Sequence, residues 1–436
     1  MSKNNIAVSV VLPSLNVKKY INECVRSVRA QTLKNIEIIC VDAGSTDGTW
    51  EELQEIANID ARIALVHSDK KSYGYQVNLG MAMARGEYVA IVDTDDMIRS
   101  DMYEKLYEIA KREDADFVKA NYEEFSTQED QVIIKKIVPI VTDESLYDCI
   151  VDIEKEQQCF HPQTTATWSG IYKRSFLEQN NIYHNETAGA SYQDAGFYLQ
   201  TYMFAKRAYF VNQPFYMYRV DNPNSSVVNP NKVYCICDEF DFIWNVVEKN
   251  EQLKTFQGIL SWMFYKKYKR NIERIAEEFR GEFLERFAAD YNGLKEKDIL
   301  SKEHFLPEEW EELEDICAKG AKFYEEILGK KEQFLQELSC LPQLIIYGAG
   351  KVGREIFQGL EKKENVICFA VTDGDVENTV LDGKEIRCIK ELKAYTQSGY
   401  VVVAVMHAEY RDKMVKETQN VGFQNVIKIP FGVFDY

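Results

Sequence analysis

Three carboxylates stand in four residues, Asp93-Thr94-Asp95-Asp96, directly after an apolar run over 88–92. Carboxylates that close repel one another once desolvated, so something cationic must offset the cost. A hard divalent ion with oxygen ligands, Mg²⁺ or Mn²⁺, suits such a group. Held by Asp95, Asp93 and Asp96, it would grip two phosphate oxygens of a nucleoside diphosphate and stabilise the charge as that group departs. The plain alternative is a solvated turn that caps a helix over 102–111. The position of the triplet beside other polar loops decides for the ion.

The elements that must position it can be read from pattern. An apolar run over 7–13 closes on the breaker Pro13, and further runs cover 36–41, 63–67 and 88–92. Apolar residues at Ile21, Cys24, Val25 and Val28 have helix spacing, and two more helices are expected over 49–57 and 76–84. Strands alternating with helices predict an α/β fold with a mostly parallel sheet. Ligands of such sheets bind beyond the carboxyl ends of the strands. That rule brings Ser14-Leu15-Asn16, Asp42-Ala43-Gly44 and the acidic triplet onto one rim.

Other residues carry chemistry of their own. Trp168 lies among small and hydroxylated neighbours from His161 to Gly170, which suits either a sugar-stacking acceptor platform or a core tryptophan. His184 and Asn185 line the acceptor side or are plain loop residues. The segment Lys71-Ser72-Tyr73-Gly74-Tyr75-Gln76 could shape a donor sugar pocket. Arg219 is a cation for a diphosphate or one half of an ion pair. Gly348-x-Gly350-x-x-Gly353 follows a strand and opens a helix, and Asp373 falls where a dinucleotide site would hold ribose hydroxyls. Three uses of that unit stand open, namely scaffolding, nucleotide binding and redox chemistry.

Composition narrows the function classes. The 436 residues suffice for two to three domains. Lys plus Arg is 52 against 70 for Asp plus Glu, a formal charge of −18 that argues against nucleic acid as a partner. The ten cysteines are scattered, as in a reduced, cytoplasmic protein. Neither a signal segment nor a membrane span is expected. The stretch 261–270 is aromatic and basic, so it either rests on a membrane surface or has one core face and one solvated face. A turn-rich boundary over 221–226 and a Glu/Lys-rich helical stretch suggest three parts, 1–230, 231–340 and 341–436.

Residues 7 to about 120 resemble a family 2 glycosyltransferase with a GT-A fold. The matching string runs from Val8 to Pro13 with Asn16, through Gln31-Thr32 and Val41 to Thr49, to Asn78, Gly80, Ala84, Gly86-Glu87-Tyr88 and Asp93 to Asp96. The resemblance implies an inverting transfer of a sugar from a nucleotide-diphospho-sugar donor to a glycan or lipid-linked glycan. It implies that Pro13 and Asn16 line the donor pocket, with Gln76, Asn78 and Thr94 nearby. Asp42 would face the base or ribose, Asp93 the ribose–diphosphate side, and Asp95 the metal. Leu15 stands where the family usually has an aromatic residue and Ala43 where it commonly has a second aspartate, so the donor base is left open. The family's catalytic base falls on Asp194, in Ala190-Ser191-Tyr192-Gln193-Asp194, with Gln193 in place of Glu. The last part resembles small Rossmann-like modules of polysaccharide biosynthesis proteins. The expected architecture is therefore a GT-A domain, a helical middle region and a small Rossmann-like domain. The expected setting is cytoplasmic, at the inner face of the membrane, with oligomers open. Rivals are a nucleotide-binding scaffold without chemistry, an NAD-linked oxidoreductase and transfer of an alditol phosphate.

Overall fold

A computed structural model describes residues 6–128, 131–162, 165–223, 225, 229–372, 379–406 and 408–434, the side chains of 408 and 409 excepted. The chain divides into two compact units, one built from residues up to 274 with 299–304, the other from 275–298 with residues from 305 onward.

The first unit begins with the alternation read from the sequence. Strands β1 (Val8–Ser14), β2 (Ile36–Asp42), β3 (Ile63–His67) and β4 (Tyr88–Ile91) are separated by helices α1 (Lys18–Arg29), α2 (Thr49–Ala57) and α3 (Tyr73–Met83). These strands pair in parallel in the order β3-β2-β1-β4. Every residue of β1 and β2 is buried, which is why both read as unbroken apolar runs. Gly80 lets α3 lie close against β1, since a Cβ there would come within 2.4 Å of Val11.

The sheet then changes character. Short β5 (Met97–Ile98) and α4 (Met102–Glu113) lead to the hairpin β6 (Phe117–Gln128) and β7 (Gln131–Val138). Next come β8 (Ile150–Val151), β9 (Gly170–Lys173), α5 (Arg174–Gln179), α6 (Gln193–Phe204) and β10 (Ala208–Arg219). β9 joins antiparallel to β4 and β6, and β6 runs parallel to β10. Gly170 permits the β9–β6 contact. A Cβ there would lie 2.3 Å from the Val118 carbonyl and 2.9 Å from Lys119 Cα. Helices α7 (Cys235–Lys249) and α8 (Gln257–Arg274) complete this unit. In α8, Met263, Phe264, Tyr265 and Tyr268 are buried in the core, while Trp262 is half-buried.

The second unit holds α9 (Glu277–Glu296), α10 (Pro307–Lys319) and α11 (Ala321–Ser339), so the helices of 231–340 are shared between the two units. It continues through β11 (Leu344–Tyr347), α12 (Lys351–Gly359), β12 (Val366–Val371), β13 (Val380–Leu381), β14 (Lys384–Cys388), β15 (Tyr400–Val403), α13 (Ala408–Val421) and β16 (Asn425–Lys428). The sheet order β13-β14-β12-β11-β15-β16 places β11 at a switch point, with β12 and β15 parallel on either side. Apolar clusters cover both faces of that sheet. No described helix is long and apolar enough to cross a membrane, and no disulfide joins any of the cysteines, all of which are described.

Candidate active site

The strand tips on the rim are tied to one another by side chains. Thr94 Oγ1 donates to the Pro13 carbonyl at 2.8 Å, joining the end of β4 to that of β1. Gln76 Nε2, from α3, donates to Ser14 O at 2.9 Å and Val41 O at 2.7 Å, joining β1 to β2. Asn78 is spent elsewhere, donating to His184 O and accepting from His184 N, both at 2.8 Å. Thr94, Gln76 and Asn78, expected beside the donor, thus serve first as staples between segments distant in sequence.

The Asp42 loop has the same character. Asp42 is 1 % exposed. Its Oδ2 accepts from Gly44 N and Ser45 N, both at 2.9 Å, while Oδ1 accepts from the hydroxyls of Ser45 and Ser14. Asn16 takes a left-handed backbone and accepts from Thr46 N through Oδ1. Ala43 is buried, Leu15 half-buried and Asn16 exposed. The accessible groups on this side of the rim are Leu15 and Asn16, while Asp42 organises the loop between them and α2.

The three clustered aspartates take different roles. Asp96 is 1 % exposed, and both its oxygens are occupied, by Tyr216 Oη at 2.7 Å and Arg219 N at 2.7 Å. It fastens β10 to the loop after β4, so its assignment as a metal ligand does not fit this geometry. Asp93 and Asp95 are half-buried, and each uses one oxygen. Tyr73 Oη donates to Asp93 Oδ1 at 2.9 Å, and Asn222 Nδ2 donates to Asp95 Oδ2 at 2.7 Å. Burial, with the charges of Asp95 and Asp194 adding to it, pushes the Asp93 carboxyl up to about 7. Burial likewise holds Asp96 well above the usual carboxylate range. Among the described residues no lysine or arginine side chain pairs with these three.

Arg219 lies closest to doing so. It is 5 % exposed, sandwiched between the rings of Tyr20 and Phe125, and donates to Asp95 O, Thr127, Asp221 and Glu23. With its donors committed, it is a crosslink and not a cation offered to a diphosphate. No three described His, Cys, Asp or Glu side chains gather closely enough to hold a metal ion unaided. Two half-satisfied carboxylates with no cationic partner nevertheless fit a dication that draws its remaining ligands from a substrate.

Asp194 sits in the first turn of α6, where the helix dipole favours a carboxylate. Thr165 Oγ1 donates to its Oδ2 at 2.7 Å. Its charge acts on Asp93, Tyr73 and Tyr218, so Asp194 shares one electrostatic space with the acidic tip of β4. Main-chain bonds help to fix this. Gly189 N donates to Lys71 O and Tyr73 N to Gly189 O, at 2.7 and 2.9 Å, which binds the segment before α6 to the start of α3.

Behind Asp194 stands a residue that sequence reading passed over. Lys119, near the start of β6, is 1 % exposed. Its Nζ lies 5.2 and 5.5 Å from the ring centres of Tyr198 and Tyr202 and makes no ion pair among the described residues. Burial brings its ammonium down to about 7, with Asp194 opposing. Lys267, 6 % exposed, is brought to about 8 by burial, again with Asp194 opposing.

The two expected acceptor residues lie inside. Trp168 is 7 % exposed and stacks on Tyr216 at 4.1 Å and Tyr218 at 5.3 Å, a core tryptophan beneath the acidic loop. His184 is fully buried and stacked on Phe197 at 4.2 Å, with neither ring nitrogen hydrogen-bonded. Burial lowers it to about 3, so it is a neutral packing ring with no surface for an acceptor.

In the second unit, Gly348 has φ of +125°, and a Cβ on Gly353 would fall 1.9 Å from the Gly348 carbonyl. The turn therefore needs both glycines for its own geometry. A Cβ on Gly350 would meet nothing within 4 Å. Asp373 lies outside the described residues.

The site thus combines parallel strands, an acidic tip after β4 and a further carboxylate at the start of α6. Residues 9–207 match the family model Glycosyl transferase family 2. Glycosyltransferase GlyG of Streptococcus pneumoniae is 31 % identical over 216 residues, 49 % of this chain and 70 % of its own. EpsJ of Bacillus subtilis, named an uncharacterized glycosyltransferase, is 31 % identical over 229 residues, and the chain spans 52 % of itself and 64 % of EpsJ there. The crystal structure of Staphylococcus aureus TarS 1-349 in complex with UDP-GlcNAc superposes with a TM-score of 0.57 at 18 % identity, covering 73 % of this chain and 89 % of that one. The chain belongs to glycosyltransferase family 2, with the GT-A fold expected from its sequence.

Proposed function

We propose that this chain is an inverting, metal-assisted glycosyltransferase that moves a sugar from a nucleotide-sugar to a hydroxyl of a surface glycan or lipid-linked glycan. The observation that carries the reading is geometric. Tyr73 bonds Asp93 at the tip of β4, and main-chain bonds from Tyr73 and Lys71 to Gly189 hold the start of α3 against the segment leading into α6, whose first turn carries Asp194. One carboxylate pair suits the donor diphosphate, and the other carboxylate suits the acceptor. A nucleotide-sugar donor is also supported by TarS, whose structure with UDP-GlcNAc has the same fold.

Asp93 and Asp95 would hold Mg²⁺ or Mn²⁺, whose chemistry when bound is to offset charge on the departing diphosphate. Tyr73 orients Asp93 through its hydroxyl. Asp194, steadied by Thr165, takes the proton of the acceptor hydroxyl as the new bond to the anomeric carbon forms and the bond to the diphosphate breaks. Attack from the side opposite the leaving group inverts that carbon. The Rossmann-like part serves as a scaffold in this reading.

A screen of nucleotide-sugars with Mn²⁺ and glycan acceptors, read by release of nucleoside diphosphate, tests it. Release with at least one donor, abolished by chelation and restored by metal, is expected. A second reading, a binding scaffold without chemistry, is favoured by Leu15, Ala43 and the fully occupied Asp42. Nucleotide binding with no turnover for any donor would establish that alternative.

A further inference from the structure

A second cleft lies within the first unit, with a volume of about 1080 Å³. It exceeds the roughly 300–1,000 Å³ of an ordinary small-molecule site, so it has room for more than one ring. One wall is the start of α8, with Gln257, Gly258 and Trp262, and the opposite wall is the segment from Gln157 to Pro162. The loop with Ser301 and His304 closes a third side, packed 3.4–3.5 Å from where a Gly258 Cβ would stand.

The chemistry of these walls selects a class of ligand. Gln157 and Gln158 each spend an amide N–H, on Thr255 O and Glu156, which leaves their carbonyl oxygens, beside the Gln257 amide, the Glu303 carboxylate and the Ser301 hydroxyl, to bond hydroxyl groups. Trp262 is half-buried and has Lys266 Nζ 5.9 Å from its ring centre, so the ring pairs an apolar face with a polar neighbour. Both described lysines that line the cleft have carboxylate partners. Lys155 pairs with Asp152 at 2.7 Å and Lys254 with Glu251 at 2.7 Å. Burial holds His161 below its usual value. A polyanion would find no unpaired lysine among the described lining residues and would meet the Glu303 carboxylate, whereas a neutral polyhydroxyl chain finds donors, acceptors and a ring.

One wall of the cleft is bonded to the helix that carries Asp194. His161 N donates to Tyr198 Oη at 3.0 Å, and Tyr198 stands one turn after Asp194 on α6. Three residues beyond Pro162, Thr165 bonds Asp194 itself.

We propose that this cleft binds an uncharged oligosaccharide of the acceptor, holding the chain so that its terminal hydroxyl reaches Asp194. The proposal rests on the transferase reading for its direction, but its own test is binding. Calorimetry and tryptophan fluorescence on the full chain, with maltotetraose, cellotetraose and N-acetylchitotetraose as probes, measure it. Binding of at least one is expected, with affinity reduced tenfold or more in Trp262→Ala. Gln158→Ala, which alters an exposed side chain and leaves the core intact, should weaken the same probe about threefold. Manganese-nucleotide binding should be unchanged in both variants. Absence of binding by all three probes, or full affinity in both variants, overturns the proposal. Tetrasaccharide binding that depends on Trp262 in a protein that binds no nucleotide upholds it and removes the donor reading instead.

Discussion

Tyr73 and Asp93 are twenty residues apart, and the tyrosine hydroxyl meets the carboxylate at 2.9 Å from the first turn of α3. It is the one side-chain hydrogen bond that works to keep Asp93 ionised against burial and two neighbouring charges. Tyr73→Phe removes it without changing the shape of the ring. A hydrogen bond to a charged group contributes about 1.5–3 kcal/mol. We therefore expect the melting temperature to fall by a few degrees and metal-dependent nucleotide binding to weaken about tenfold or more, read by calorimetry with Mn²⁺.

Asp194→Asn keeps the shape of the side chain and its contact with Thr165 but cannot accept the acceptor proton. General-base catalysis is worth roughly 10²–10⁴-fold. The expected result is a loss of that size in transfer, with donor affinity retained. Unchanged turnover would take Asp194 out of the reaction.

Acid should loosen the first unit through His184. Its folded value, about 3, lies below the ordinary value of 6.5. The unfolded chain therefore binds the proton more readily, and the stability attached to the neutral ring is complete above pH 6.5 and lost as pH falls toward 3. His184→Phe keeps a flat ring against Phe197 and removes two unbonded nitrogens. Denaturant titrations at pH 7.5 and 5 should show a smaller loss of stability in the variant than in the parent. Equal losses would place the acid sensitivity elsewhere.

Gly170→Ala forces a methyl group against the Val118 carbonyl and the Lys119 backbone. Overpacking of this kind costs about 1–3 kcal/mol. The midpoint of denaturation should fall accordingly, and activity should fall further than stability, because the displaced strand carries Lys119 behind Asp194. Activity that falls no further than stability would separate Lys119 from the site.

The parallel half of the sheet was legible because β1 and β2 are buried on both faces and end in turn residues. The helix over 49–57 and the strand over 63–67 coincide with α2 and β3. The glycine turn before α12 was legible for the same reason, a strand ending in residues that only a tight bend needs. The uses of Gln76, Thr94 and Asn78 were hidden, since each bonds a backbone group between 35 and 106 residues away. Their types suggested polar contact, but only the fold supplies the partner. Trp168 and His184 misled for a related reason, because an aromatic beside small polar residues can stack on a ligand or on its own core. Lys119 gave no signal at all, since a lysine inside a strand ordinarily points to water.

Thr94 and Gln76 clip the ends of β1, β2 and β4 together through the protein's own hydrogen bonds. A floor assembled beforehand has little freedom left to surrender when a molecule settles on it. Cutting one of those clips would leave every surface group where it stands and still slacken capture, and the deficit would surface as entropy in a calorimeter.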